Sequence, residues 1–102
     1  MTHPSGLLDD IIHQRVRLGI MAVLAEADEA EFTFLKDQLD LTDGNLNRHL
    51  QVLEDAGHID RTRSRSAGRP RTWIHATKSG LAALNDHLET LQRLIDQTKG
   101  TP

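Results

Sequence analysis

A chain of 102 residues with net charge −3, 37% apolar side chains, one Trp, two Phe and no Cys has room for one small domain, its core built from aliphatic side chains. The lack of Cys excludes a disulfide scaffold, a thiolate zinc site and a cysteine redox switch. No apolar run approaches the ~20 residues needed to span a bilayer, and MTHPSGLLDDIIH lacks the basic start and unbroken apolar run of a signal peptide, so a cytoplasmic protein is expected.

In chain order, Leu8, Ile12, Val16, Ile20, Val23 and Leu24 recur at helical spacing and predict an amphipathic first helix over residues 8–26. Asp28 to Glu31 is a polar break, and Phe32, Thr33 and Phe34 read as a very short strand. A second helix, 34–40, carries Leu35 and Leu39. Thr42 offers an N-cap hydroxyl and Asp43 suits the positive helix end, so a third helix is expected over 43–56. Gly57 is placed to end it in a left-handed conformation. Two helices joined by so tight a connection make a helix-turn-helix candidate.

Beyond Gly57 the period drops to two. Residues 58–63 and 72–76 read as strands around the turn formers Ser64 to Pro70, giving a β-hairpin over 58–76. Thr77 or Ser79 caps a last helix over 78–97, and Gly100 and Pro102 close the chain in a frayed tail. Residues 1–102 thus form a single domain, mainly α with a small β-hairpin (α+β). The order helix, short strand, helix, helix, hairpin, helix is the layout of a winged helix-turn-helix with an extra C-terminal dimerisation helix.

Charge is distributed unevenly. From His58 to Lys78 there are six basic side chains against Asp60 alone, a balance of +5, whereas the remainder carries six basic and fourteen acidic groups, −8. A basic hairpin on an acidic protein marks a local site for a polyanion. In the third helix Leu46, Leu50 and Leu53 define one buried face. The opposite face presents Gly44, Arg48, Gln51 and Asp55, flanked by Asn45 and Asn47. Arg pairs with guanine edges and Asn or Gln with adenine edges, so this face can read DNA in a major groove. Gly44 bares the backbone where a helix N-terminus can meet a phosphate. His49 falls at the edge of the buried face and reads as a packing residue. Arg61, Arg63 and Arg65 alternate along one strand and Arg69 and Arg71 return on the other, suited to phosphate and minor-groove contact; Arg65, Arg69 and Arg71 lie nearest the tip. Trp73 reads as a plug between hairpin and core.

LTDGNLNRHLQVLEDAGHI followed by GRPRTWIHATKSGLAAL resembles the winged-helix transcriptional regulators of the MarR/ArsR type, in particular their short stand-alone members. The resemblance covers about residues 8–90 and rests on the L-x-R-H-L-x-x-L-E-x-A-G helix, the G-R-P-R-T wing and the T-x-x-G-x-x-A-L helix start. It implies a homodimeric, sequence-specific binder of double-stranded DNA, with the third helix in the major groove and the wing arginines along the minor groove or backbone. Carried over, those roles fall on Thr42, Asn45, Asn47 and Arg48 and on Arg65, Arg69 and Arg71. The chain departs from larger members in lacking their longer helical dimerisation region and the cysteines of metal-sensing members.

A dimer has its own warrant, because Leu81, Leu84, Leu88, Leu91 and Ile95 step by three and four as a seam, to which Leu7, Leu8 and Ile11 can add. Two-fold symmetry then predicts a palindromic operator, and the function expected of such a dimer is that of a repressor acting by occlusion of a promoter. Two other readings stand beside this one. A winged helix can serve protein–protein contact instead of DNA. A metal- or ligand-responsive regulator could draw ligands from Asp86, His87 and Glu89, or from His3 and His13 across a dimer, although no spacing amounts to a zinc motif. With no nucleophile–base pair, phosphate loop or paired carboxylates, the sequence assigns no catalytic residue and no cofactor, and it names no effector.

Overall fold

The structure is a computed structural model that describes residues 3–66 and 68–99. After a 3-10 turn, Pro4–Leu7, the chain forms α1 (Arg15–Ala27), β1 (Glu29–Glu31), α2 (Phe32–Leu39), α3 (Asp43–Asp55), β2 (Ile59–Ser66), β3 (Arg69–Ala76) and α4 (Lys78–Lys99). The three strands make one antiparallel sheet in the order β1-β3-β2. This is a winged-helix fold, mostly helical, with a long C-terminal helix. The tail residues Gly100 and Pro102 lie outside the described residues.

The first helix is shorter than its apolar period suggests. Residues 8–14 are turns, because the Asp9 carboxylate accepts from the amides of Ile11 (2.8 Å) and Ile12 (3.3 Å) and folds the chain locally. The helix begins only where the Gln14 side chain caps the amides of Val16 and Arg17, at 2.9 and 3.0 Å. Ile12 and Val16 are both buried, so the period reports a buried face that continues without a helical backbone. The short strand also lies earlier than expected. Asp28, at φ 67°, redirects the chain, Ala30 enters the core opposite Ile74, and Phe32 already starts α2. Phe34 is left exposed on that helix.

Leu46, Leu50 and Leu53 are the buried face of α3, packed with α1 and with Ile59 and Ile74 of the sheet. Gly57 ends the helix at φ 78°, a conformation that only glycine adopts readily. Its carbonyl accepts from the hydroxyls of Thr77 (2.6 Å) and Ser79 (2.9 Å). Thr77 also caps α4 by accepting from the Gly80 amide at 2.9 Å. Gly80 then lies against the backbone of His58, where an added Cβ would stand 2.0 Å from the carbonyl oxygen. The end of α3, the base of the hairpin and the start of α4 are thereby locked into one junction.

α4 does not present the whole leucine seam outward. Leu84 is buried in the core of its own chain, so it is not free for a dimer interface as the spacing alone suggests. Ile11 packs against the same core, Leu8 is half-buried and so is Leu91. Leu81, Leu88 and Ile95, seven residues apart, stay 40–48% exposed, and Leu7 is 55% exposed. His87 is buried where the N-terminal segment docks on α4. Its Nδ1 accepts from the Asp9 amide (3.4 Å), which leaves Nε2 to donate to His13 Nδ1 at 3.2 Å.

Gly80→Ala is expected to destabilise the fold by at least the about 1–3 kcal/mol typical of overpacking, because the atom it meets is backbone and cannot swing away. Gly44→Ala, where an added Cβ meets nothing within 4 Å, should leave stability unchanged or raise it. Urea unfolding of the two variants checks the contrast. A pH dependence follows from His87, which burial and the neighbouring His13 hold below the ordinary histidine value although Asp9 pulls the other way. The unfolded chain then binds the proton more readily, so stability is full above pH about 6.5 and is lost as pH falls toward the folded value. Burial and the guanidiniums of Arg17 and Arg48 shift His49 the same way. Melting curves between pH 8 and 5.5 should show this loss, and His87→Gln should shrink it; stability rising toward acid contradicts the assignment.

Candidate nucleic-acid interface

The exposed side of α3 begins at Thr42, whose hydroxyl accepts from the Asn45 amide at 3.2 Å and so fixes where the helix starts. Asp43, the acid of the first turn, is paired with Lys36 of α2 at 3.1 Å. Gly44, Asn45, Asn47, Arg48 and Gln51 are all exposed. Arg48 donates to Asn45 Oδ1 at 3.1 Å, one turn back, rather than to Gln51 or Asp55. Gln51 is engaged at both ends: Nε2 donates to Asp55 Oδ1 at 2.8 Å and Oε1 accepts from Arg61 at 3.0 Å. His49 is half-buried, and its Nδ1 accepts from Arg17 Nη1 at 3.1 Å. Burial and the Arg17 and Arg48 charges hold it below the usual histidine range, which favours the neutral ring that accepts from Arg17.

The wing is a long ladder that runs from Ile59 opposite Ala76 to Ser66 opposite Arg69, with Gly68 in the turn at φ 77°. Antiparallel partners share a face, so strand parity decides where each arginine points. Ile59, Arg61, Arg63 and Arg65 share a face with Ala76, Ile74, Thr72 and Pro70. Its base, Ile59 and Ile74, is core, and the arginines continue that core face outward past α3. A cleft of about 300 Å³ opens there, lined by Phe32, Asn47, Arg61, Arg63 and Thr72.

Arg69 and Arg71 belong to the other face, with Ser64, Thr62 and Trp73. Arg71 is half-buried and paired with Glu31 of β1 at 2.8 Å. It braces the sheet and does not stand at the tip with Arg65 and Arg69. Arg63, Arg65 and Arg69 are exposed and have no hydrogen-bonding or ionic partner among the described residues. Arg65 and Arg69 lie on opposite faces close to the turn. Trp73 is half-buried beside Phe34, Ala27 and Ala30 in a shallow hollow, at the edge of the core.

Sequence reasoning undervalued Arg61. It is mostly buried, pairs with Glu54 at 3.1 Å, and also reaches Asn47 and Gln51. The signal was available: Asn47, Gln51 and Glu54 stand four and three residues apart on one helical stripe, and Arg61 is the first arginine past the α3–β2 turn. The acids of α3 are all engaged, Asp43 by Lys36, Glu54 by Arg61 and Asp55 by Gln51, so its exposed face offers donors without a free carboxylate. Of the groups suggested as metal ligands, His87 points inward to Asp9 and His13 while Asp86 and Glu89 are exposed, and among the described residues no three His, Asp or Glu side chains are placed to hold a metal ion.

This arrangement agrees with the comparisons to known proteins. Residues 16–95 match the model of the winged helix DNA-binding domain family. An uncharacterised protein of Methanocaldococcus jannaschii is 37% identical over 84 residues, spanning 82% of this chain and 91% of that protein. The structure of a transcriptional regulator homologue from Pyrococcus horikoshii superposes with a TM-score of 0.82 at 37% identity, covering 87% of this chain and 88% of that one. The transcriptional regulator BldR from Sulfolobus solfataricus shares the fold at 18% identity, with a TM-score of 0.70 over 87% of this chain and 63% of its own. The family match spans residues 16–95, and the chain described here belongs to the winged helix DNA-binding domain family.

Proposed function

We propose that this protein is a cytoplasmic, homodimeric transcriptional repressor that binds a palindromic operator in double-stranded DNA and acts by occlusion, with no catalytic step. The observation that carries the reading is the continuous donor surface of α3 and the wing. The exposed side of α3 has every acid paired, and beside it Arg63, Arg65 and Arg69 are exposed with no partner among the described residues. In this reading α3 enters the major groove N-terminus first, and Asn45, Asn47 and Arg48 meet base edges. Thr42 and the bare backbone at Gly44 approach a phosphate. Arg65 and Arg69, one on each face of the tip, enter the adjacent minor groove or straddle a backbone, while Arg63 follows the nearer strand.

The dimer rests on the exposed stripe Leu81, Leu88 and Ile95, with Leu7, also exposed, on the 3-10 turn that docks against α4. Three large apolar side chains on one helical face, two turns apart each, are what a second copy covers. The ends of the two recognition helices then fall about one DNA turn apart, as a palindromic site requires.

Selection of duplexes from a random pool at about 150 mM salt should return a palindrome, with light scattering on the same sample giving a dimer mass. Enrichment of no sequence, with binding only at low salt, would sink the reading. Within the recovered site, Arg48→Ala should cost about 1–3 kcal/mol of discrimination at one base position, and Arg69→Ala should weaken all sequences alike and lower the salt slope by about one. Equal loss of discrimination from both overturns this division of roles. Leu88→Glu should yield a folded monomer, whereas Leu84→Ala should cost about 2–5 kcal/mol of stability, as a core truncation does; sedimentation and urea unfolding separate the two.

A further inference from the structure

Arg61 lies at the root of the wing, on the face that continues the core, and its guanidinium fans across three acceptors of α3. Nε and Nη2 donate to the two oxygens of Glu54 at 3.4 and 3.1 Å. Nη2 also donates to Gln51 Oε1 at 3.0 Å, and Nη1 donates to Asn47 Oδ1 at 3.2 Å. An ion pair on a protein surface is worth little by itself. This one differs because the same planar group also grips the amides of two residues on the exposed side of the recognition helix. The side chain of Arg61 is 20% exposed and Glu54 36%, so the pair is partly shielded from solvent.

The consequences for the two amides differ. Gln51 has Oε1 on Arg61 and Nε2 on Asp55, so both of its ends are occupied by protein. Asn47 has only Oδ1 engaged. Its Nδ2 has no partner among the described residues and remains free to donate. Holding a rotamer-rich side chain before binding removes an ordering cost that a free side chain bears when DNA arrives. Lysine cannot do the same, since one ammonium does not span three acceptors in a plane.

We propose that Arg61 is a positioning residue for DNA recognition: it presets Asn47 with its amide nitrogen toward the groove, holds Gln51 out of base readout, and ties the angle of the wing to the recognition helix. This rests on the DNA-binding reading above. It assigns Gln51 a bracing role instead of the adenine-reading role its chemistry suggests, and it makes the wing and α3 move as one body.

The test is Arg61→Lys, which keeps the charge opposite Glu54, with Glu54→Gln as a second variant should the first unfold. Duplex selection at about 150 mM salt should show Arg61→Lys losing about tenfold in discrimination at the same base position that Asn47→Ala blurs, with melting and low-salt binding close to the parent protein. Gln51→Ala should leave the base preferences unchanged. Discrimination in Arg61→Lys equal to the parent, or a base preference that collapses in Gln51→Ala, overturns the proposal. A separate arm needs no DNA. In the free, ¹⁵N-labelled protein the side-chain amides of Asn47 and Gln51 should relax as rigidly as the backbone and become mobile in Arg61→Lys. Amides already mobile in the parent overturn the positioning role whatever DNA does, whereas rigid amides in a protein that selects no sequence overturn the DNA reading and leave the brace intact.

Discussion

The close approach of Gly80 to the backbone of His58 is the constraint on which the rest of the DNA-facing side depends. Three chain directions change within a few residues of it. α3 ends at Gly57, the hairpin starts at Ile59, and α4 starts at Lys78. The hydroxyls of Thr77 and Ser79 close the Gly57 carbonyl, and Thr77 in turn receives the Gly80 amide. The two bonds to the Gly57 carbonyl tie the start of α4 to the end of α3, and the Thr77 cap fixes the first turn of α4 at that point. A Cβ at position 80 would push α4 off this junction, and the angle between recognition helix, wing and C-terminal helix would change together.

Electrostatics is organised by the same economy of position. The protein is acidic overall, which by itself disfavours a polyanion. Its acids near α3 are turned to use: Glu54 holds Arg61, Asp55 holds Gln51, Asp43 holds Lys36, and Glu31 on β1 holds Arg71. The three ion pairs, with Lys36, Arg61 and Arg71, each offset a carboxylate's charge, whereas Asp55, bonded to a neutral amide, keeps its charge at the C-terminal end of α3. Two of them also fix a side chain or strand that carries the interface. The arginines left over, Arg63, Arg65 and Arg69, lie in the outer half of the wing, where, in the proposed reading, salt-sensitive contacts to a DNA backbone do not need burial.

How much of this was legible in the sequence depended on whether periodicity and backbone agreed. At α3 they did: the leucine spacing of 46, 50 and 53, the Thr42 cap and the Gly57 stop all describe the helix that forms. At residues 8–14 they did not. Burial repeats every four residues there, but Asp9 and Gln14 side chains bond nearby amides and favour a turn over a helix. β1 was misplaced because it has a single buried residue, Ala30, and a three-residue strand shows no period; the more β-prone Phe32 and Phe34 went to α2. Arg71 was grouped with the tip arginines because charge counts ignore strand parity. Once β1 is in register with β3, Glu31 stands opposite Trp73, on the face and within reach of Arg71.

The leucine stripe of α4 shows the same lesson at the level of assembly. Heptad-like spacing cannot tell which residues meet the chain's own core and which meet a partner, because both sets fall within one apolar stripe of the helix. The docking of the N-terminal segment decides it. Asp9 and Ile12 bring that segment onto α4 beside His87, and Leu84 is taken into the core. What remains for a second copy is the narrower row Leu81, Leu88 and Ile95. That row starts one residue after Gly80, so the helix that would carry the dimer contact is the helix whose first turn is locked against the end of α3. In such a dimer the distance between the two recognition helices is set through a single rigid element, and any change at the α4 interface is felt at the half-site spacing without passing through a loop.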